Sequence, residues 1–414
     1  MTESSTAAIA ATTALATVAI LAFLRFTLRA PRPKIYRSPL RTVIPTLSKD
    51  ELDKLEYSPD EFPGARDVDT PYGSIRVYEW GPETGPKVLL IHGISTTCQT
   101  LGGVAHALVR LRRCRVLLFD LFGRGFSDSP GDLPHDARLY VSQALLALAS
   151  SPLAWTGPGA RVRVVGYSMG AAVAVHLVAA GGLPAAAVES VVLLAPAGLV
   201  RPEKFGRVAS FVFTSGVVPE RILAAVTRRR LRKPIAAGVK RRSKDAPSGT
   251  ETPADGDGSS SSRDATPMTM TTPPQDPVGA AMTETVVADG EVSTRLEERV
   301  LAYVQWMVTH HAGFVPAFMS CIRHAPLTGQ HDAYARLAGR GFCVAFVLGR
   351  DDEVVGPEDF AQDVMPLVGG EEGVFWQRRV LWKVVGGGHD FPMTHEGETV
   401  DAIEEFWGGV AGGW

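Results

Sequence analysis

The sequence predicts an α/β fold, with a mostly parallel central sheet of about eight strands flanked by helices. Three observations carry that reading. Short apolar runs recur along the chain, among them residues 87–91 (KVLLI), 344–348 (VAFVL) and 380–385 (VLWKVV). Helical patterns alternate with these runs. In residues 161–179, RVRVVGYSMGAAVAVHLVA, a β-branched run passes straight into an alanine- and valine-rich helix through Gly166-Tyr167-Ser168-Met169-Gly170.

That pentapeptide, G-x-S-x-G, is expected by chance in a chain of this length at roughly 0.15 copies, so its strand-turn-helix frame matters more than the match. A serine on such a turn holds its hydroxyl above a sheet edge. The flanking glycines let the strand and helix backbones approach closely, and Ala171 and Ala172 keep the next turn small. The amides of the following helix point at the serine, where a developing anion would be stabilised.

Three further stretches give the motif its partners. The buried run 87–91 ends in His92-Gly93-Ile94, the run 344–348 in Gly349-Arg350-Asp351-Asp352, and the run 380–385 in three glycines and His389. Nucleophile, acid and histidine follow in the order Ser…Asp…His, each at the C-terminal end of its own strand. From about Asp67 to its C-terminus the chain thereby resembles the α/β-hydrolase superfamily. The resemblance implies Ser168 as nucleophile, His389 as general base and Asp352, last in a G-x-x-D pattern, as the orienting acid. Asp351 and Glu353 are adjacent candidates for the acid. His395 lies six residues after His389, but it opens the final helix (396–407) instead of a strand-end loop.

Length and composition set the outer limits. The 414 residues hold one large or two medium domains, and 45% hydrophobic residues suffice for a real core. A net charge of −2 gives no global argument for nucleic acid as a partner. Cys98, Cys114, Cys321 and Cys343 are scattered without C-x-x-C spacing, so neither a disulfide framework nor a zinc site is indicated. No metal or other cofactor is expected.

Residues 4–24 carry no charge, and a helix of ~20 residues spans the ~30 Å of a hydrocarbon core. Glu3 precedes the run, while Arg25, Arg29, Arg32, Lys34, Arg37 and Arg41 follow it. This asymmetry predicts a transmembrane anchor (1–30), single-pass, with the basic side and the catalytic domain in the cytosol. A mitochondrial presequence is the alternative. Residues 31–64 then read as a linker, its proline- and arginine-rich part 31–45 running along the membrane surface, with a short helix near 51–63.

The first part of the core spans 65–198. Residues 66–80 alternate as two antiparallel strands around Pro71-Tyr72-Gly73. A helix over 97–111 follows His92-Gly93-Ile94. The amides of Ile94 and Met169 are the expected oxyanion donors, and His92 reads as a loop-stabilising residue. The strand 116–120 leads into Asp120-Leu121-Phe122-Gly123-Arg124-Gly125-Phe126-Ser127, which resembles the family's D-x-x-G-x-G-x-S turn. Its glycines are turn chemistry, and Asp120 and Arg124 are expected as a structural pair. The strand 190–196 closes this part.

From Leu199 the alternation stops, and 199–335 reads as a helical cap insertion. Its helices are expected at 204–231 and 297–307, the second with Leu296, Val300, Leu301, Val304 and Val308 on one face. Residues 240–290 are rich in Ser, Thr, Pro, Asp and Gly without aromatics, and read as a disordered loop. The basic run 228–244 reads as a solvated helix end, a membrane-surface contact or a nuclear-import signal. His310, His311, His324 and His331 lack acidic partners at ligand spacing and read as cap packing or pocket lining. The second part of the core spans 336–414.

These expectations describe a membrane-anchored serine hydrolase. Its substrate would be a small-molecule ester or lipid, with Phe211, Val212, Phe213, Trp306, Phe314, Phe318 and Met319 lining an apolar acyl site. Thioesterase, C–C-bond hydrolase and acyltransferase chemistry use the same triad, and a non-enzymatic binding protein is the rival of a different class. A serine at the elbow argues against epoxide hydrolases and haloalkane dehalogenases, which carry aspartate there.

Overall fold

The computed structural model describes residues 11–20, 22–23, 33–157, 159–201, 212–213, 215, 217–232, 295–369 and 379–412. Its centre is an eight-stranded sheet. In chain order the strands are β1 (Arg66–Thr70), β2 (Gly73–Trp80), β3 (Lys87–Ile91), β4 (Arg115–Phe119), β5 (Val162–Tyr167), β6 (Val188–Leu194), β7 (Cys343–Gly349) and β8 (Val380–Val385). Their spatial order is β8-β7-β6-β5-β3-β4-β2-β1. The hairpin β1–β2 and the pair β2–β4 are antiparallel. All other pairs are parallel.

The central strands are continuous runs of Val, Leu and Ile because helices cover both faces and no polar face is needed. Register then decides where the site lies. Ile91 pairs with Gly166, Tyr167 with Leu194, and Val385 with Gly349. The carboxyl ends of β3, β5, β6, β7 and β8 therefore come out on one rim, where ligands of open α/β sheets bind.

The covering helices are α1 (Gly102–Arg112), α2 (Ala137–Ala149) and α3 (Met169–Ala179) in the first part of the core. The helix expected at 97–111 starts as a 3-10 turn, Cys98–Leu101, before α1. Asp136 caps α2 by accepting from the Leu139 amide at 3.0 Å. Helix α3 is apolar all round because it is buried between the sheet, α2 and the cap.

Four helices lie between β6 and β7 among the described residues: α4 (Glu220–Leu231), α5 (Arg295–His310), α6 (Phe314–His324) and α7 (His331–Ala338). Arg323 grips Glu220 with two hydrogen bonds of 3.1 and 3.0 Å and joins α6 to α4. Helix α5 is longer than the expected 297–307. It buries Val300, Val304 and Val308 as expected, adds Tyr303, Met307 and Glu297, and leaves Leu296 and Leu301 half-buried. The expected disordered loop 240–290, residues 204–211 of the first cap helix and the basic run beyond Arg232 lie outside the described residues. The chain closes with α8 (Pro357–Val364), α9 (Phe391–Thr394) and α10 (Glu396–Gly412).

Two expectations for the N-terminal region are corrected. Among the described residues no helix is long and apolar enough to cross a membrane. This overturns the single-pass anchor, and with it the membrane placement and the cytosolic orientation built on it. The described helical residues 11–20 include Thr12, Thr13 and Thr17, which lower the hydropathy of the run. Residues 1–10, 21 and 24–32 lie outside the described residues. The stretch read as a linker along a membrane surface is instead fastened to the core. Ile35–Tyr36 pairs antiparallel with Ser129–Pro130, the Ser38 amide donates to Asp128 at 2.7 Å, and Arg37 reaches the same carboxylate at 3.0 Å.

Candidate active site

Ser168 sits between β5 and α3 with φ 53° and ψ −120°, a left-handed conformation that a side-chain-bearing residue adopts at a cost of about 1–3 kcal/mol. The surroundings hold it there. The Ser168 amide donates to Leu194 O at 2.9 Å, and its carbonyl accepts from Ala197 N at 3.1 Å. A Cβ at Gly166 would lie 2.5 Å from Ala171 Cα, and one at Gly170 would collide with the carbonyl oxygens of Ile91 and His92. The glycines thus permit two close approaches, strand to helix and elbow to the loop after β3.

The loops after β7 and β8 bring the other two groups. Asp352 and His389 are separated by 37 residues in sequence, yet Asp352 Oδ2 lies 2.8 Å from His389 Nδ1. His389 Nε2 lies 3.0 Å from Ser168 Oγ. An ionised carboxylate only accepts, so Nδ1 carries the hydrogen and Nε2 is left to accept from the serine hydroxyl. The second Asp352 oxygen accepts from the amides of Val354 and Val355, each at 2.8 Å. Burial by itself would raise the Asp352 pKa, but the charge and hydrogen bond of His389 and these two amides hold it below the usual carboxylate value. Asp351 and Glu353, the adjacent candidates, are exposed.

All three groups are buried: Ser168 is 6%, His389 6% and Asp352 5% exposed. Tyr167, the elbow residue before the serine, donates its hydroxyl to His389 O at 3.0 Å and lays its ring beside the imidazole. Sequence reading passed over Tyr167. Its position beside the serine was the one available signal, and its reach to the histidine loop was not visible.

The expected oxyanion donors lie on the same rim. Met169 opens α3, and Ile94 is in the loop that follows β3 and touches the elbow at Gly170. Arg124 fixes that loop by donating Nε to Ile94 O at 2.8 Å. It also donates to Phe122 O at 3.0 Å, Tyr140 Oη at 2.9 Å and, on α6, Cys321 Sγ at 3.3 Å. Asp120, its expected structural partner, accepts from Tyr57 Oη and from the amides of Cys98 and Phe126. Arg124 joins the turn to the loop after β3 and to the cap.

His92 has the loop-stabilising contacts its position suggests. Its Nε2 accepts from the Leu121 amide at 2.9 Å, and burial, then the Arg124 charge, lower its pKa to about 3. His92, Cys98 and Asp120 could each offer a ligand atom within 4.8 Å of the others. The His92 nitrogen is already engaged by the Leu121 amide and the Asp120 carboxylate by Tyr57 and by the Cys98 and Phe126 amides, so these two groups are satisfied within the core.

The cap histidines separate. His311 is buried, with Nε2 3.0 Å from Ser127 O, whereas His310 stacks on Trp306 near the surface. His395 ends α9, with its Nδ1 3.0 Å from Thr394 Oγ1. Of the expected lining residues, Phe213, Phe314, Phe318 and Met319 are buried, Val212 and Trp306 are half-buried, and Phe211 lies outside the described residues.

A model of the family described as Alpha/beta hydrolase family matches residues 88–402. No curated protein matches the sequence. Among solved structures, a bacterial membrane phospholipase A is 17% identical, with 97% of this chain and 98% of that one covered at a TM-score of 0.54. A putative lipase from Acinetobacter baumannii AYE is 12% identical over 84% of this chain and 91% of its own, at 0.53. A carboxylesterase of the thaumarchaeon Nitrososphaera gargenis is 15% identical over 84% and 99%, at 0.50. Identities this low establish a shared fold alone.

Proposed function

The chain belongs to the alpha/beta hydrolase family, and from that premise we propose that it is a serine hydrolase cleaving a carboxylic ester through an acyl-enzyme on Ser168. One observation carries the reading. An unbroken hydrogen-bond chain runs from Ser168 Oγ through His389 to Asp352, with links of 3.0 and 2.8 Å.

The geometry supports each step. As Ser168 Oγ attacks the ester carbonyl, its proton passes to His389 Nε2. The imidazolium that forms is stabilised by Asp352, whose second oxygen stays bound to two amides. The oxyanion is received by the amides of Ile94 and Met169. His389 then protonates the leaving alcohol, and water repeats the sequence in reverse to free the acid. No step needs a cofactor.

The acyl group best suited to the cap is a medium or long chain. Phe213, Phe314, Phe318 and Met319 belong to one continuous apolar cluster with Met169 of the elbow. Each buried methylene of an acyl chain adds about 0.8 kcal/mol to binding. A carboxylesterase and a putative lipase are among the structures that share the fold, which is consistent with ester chemistry.

A fluorophosphonate probe tests the nucleophile. It should label the protein on Ser168, and Ser168→Ala should abolish labelling and turnover; unchanged labelling of the variant overturns the assignment. A p-nitrophenyl ester series tests the acyl preference, with kcat/KM expected to rise from acetate toward octanoate. A flat or falling series removes the lipid-like substrate.

A further inference from the structure

The turn after β6 holds another left-handed residue beside the elbow. Ala195 has φ 43° and Gly198 φ 116°, and the turn they bound folds back on Ser168. Ala195 N donates to Val347 O of β7 at 2.9 Å, while Ala197 N donates to Ser168 O at 3.1 Å. The same serine oxygen accepts from Ala171 N at 3.0 Å within the first turn of α3, so the Ala197 bond is its contact from outside the helix. The Ser168 carbonyl and the Met169 amide belong to one planar peptide, in which C=O and N–H point in opposite directions. A grip on the Ser168 oxygen therefore sets where the Met169 N–H aims.

The cap holds this turn from the other side. Tyr334, on α7 and fully buried, donates its hydroxyl to Ala197 O at 2.5 Å. Gly198 N, in the same peptide as that oxygen, donates to Leu327 O at 2.9 Å, so the peptide is pinned at both polar atoms. Gly198 O in turn accepts from Gln330 N at 2.9 Å. The Tyr334 ring comes this close because residue 198 is glycine: a Cβ there would lie 2.7 Å from the ring Cε2. Phe360 of α8 meets the ring edge-on, with centroids 6.0 Å apart. Gln330 Nε2 donates to Thr328 O at 2.7 Å, which leaves its Oε1 facing His176 Nε2 of the elbow helix α3, also at 2.7 Å.

We propose that Tyr334 is a positioning residue: by fixing the Ala197–Gly198 peptide it keeps Ala197 N on the Ser168 carbonyl, and so aims the Met169 amide at the oxyanion. The proposal rests on the serine-hydrolase reading, with Met169 as an oxyanion donor. Tyr334 touches no reacting atom and acts through two peptides. An amide whose own carbonyl accepts a hydrogen bond is also the more polarised donor. The Met169 N–H matters most when negative charge gathers on the ester oxygen. A misaimed amide therefore slows turnover and leaves substrate binding nearly intact.

The test uses the full chain. Tyr334→Phe removes one hydroxyl and keeps the ring against Gly198. On a soluble p-nitrophenyl ester its kcat should fall about tenfold, with KM within about twofold of wild type. An aryl boronic acid, which forms a tetrahedral anion on the serine, should bind this variant about tenfold more weakly. Arg340→Met is the control for a loosened cap. The Arg340 guanidinium donates to Ala179 O, at the end of α3 away from the elbow, at 3.1 and 2.6 Å. This variant should unfold at lower denaturant concentration yet keep wild-type kcat and inhibitor affinity.

A second variant removes the donor itself. Lactic acid carried at position 197 by nonsense suppression exchanges the Ala197 N–H for an ester oxygen and changes no side chain. Its kcat should fall about tenfold or more, and it decides the matter alone should Tyr334→Phe fail to accumulate. An unchanged kcat in either variant, or a loss matched in Arg340→Met, overturns the proposal. So does a slowed Tyr334→Phe that binds the boronic acid as tightly as wild type. Should Ser168→Ala leave turnover unchanged, the serine-hydrolase reading fails and the proposal with it. Where Ser168→Ala is inactive and Tyr334→Phe is not slowed, the proposal alone fails.

Discussion

Asp352 and His389 face each other at 2.8 Å across the carboxyl ends of the neighbouring strands β7 and β8. The residue before the acid, Asp351, is exposed, and its backbone amide instead donates to Gly387 O at 3.0 Å. The loop between strand end and acid thus selects one carboxylate of an adjacent pair.

Replacing the two acids separately should expose that selection. Asp352→Asn keeps the shape but removes the charge that stabilises the imidazolium and orients its ring. The acylation rate should fall by about four orders of magnitude. Asp351→Asn should change it less than about twofold, as surface substitutions do. Pre-steady-state ester cleavage distinguishes the two, and the opposite ranking moves the acid by one residue.

The same carboxylate sets an acid limit on stability. Its folded pKa is depressed relative to the unfolded chain, so its contribution is present above the unfolded value, near 4, and is lost as pH falls through the folded value. Denaturant midpoints of wild type and Asp352→Asn should differ at neutral pH and converge below about pH 4. A gap that stays constant to pH 3 would contradict the linkage.

Tyr167→Phe removes one hydroxyl that fixes the backbone of His389, the proposed base. The lost bond is worth about 1 kcal/mol of stability, and Phe fills the same space beside the imidazole. We expect a drop in kcat of about tenfold with little change in KM. Steady-state kinetics with thermal melts check both, and a change in KM alone would place the effect in binding.

Arg124 is buried and holds the carbonyls of Ile94 and Phe122. Arg124→Met keeps much of the volume and leaves these oxygens without that donor. The loss should be about 3 kcal/mol or more in equilibrium unfolding, with a lower kcat because the Ile94 amide is a proposed oxyanion donor. Equal stability of the two proteins would show the guanidinium to be dispensable.

Gly170→Ala tests the close approach at the elbow. A single methyl there meets the carbonyl oxygens of Ile91 and His92, and backbone cannot swing aside as a side-chain end does. The variant should lose about 3 kcal/mol or fail to accumulate. Gly157→Ala, where a Cβ meets nothing within 4 Å, carries only the cost of its left-handed φ of 103°. Soluble yield and unfolding curves separate the two.

The sequence by itself determined what is local. Strands β3 to β8 are legible because each is a short apolar run, and the elbow because glycine, serine and glycine stand at a strand-to-helix junction. The chain order of Ser168, Asp352 and His389 follows, since a strand end fixes where the next side chain emerges. The helical cap was legible only in outline, from the point where the alternation stops. What tertiary structure decided is pairing across long separations. Asp128 gathers Arg37, Ser38 and Ser74 from distant parts of the chain. Arg124 reaches Ile94 and Cys321. No periodicity encodes such contacts, because they depend on how finished elements pack. The N-terminal run shows the converse. Its composition satisfied a membrane-span pattern, yet among the described residues no helix is long and apolar enough to cross. An uncharged run meets the length criterion for a span, but crossing also needs high hydropathy, which the alanines and threonines of this run lower.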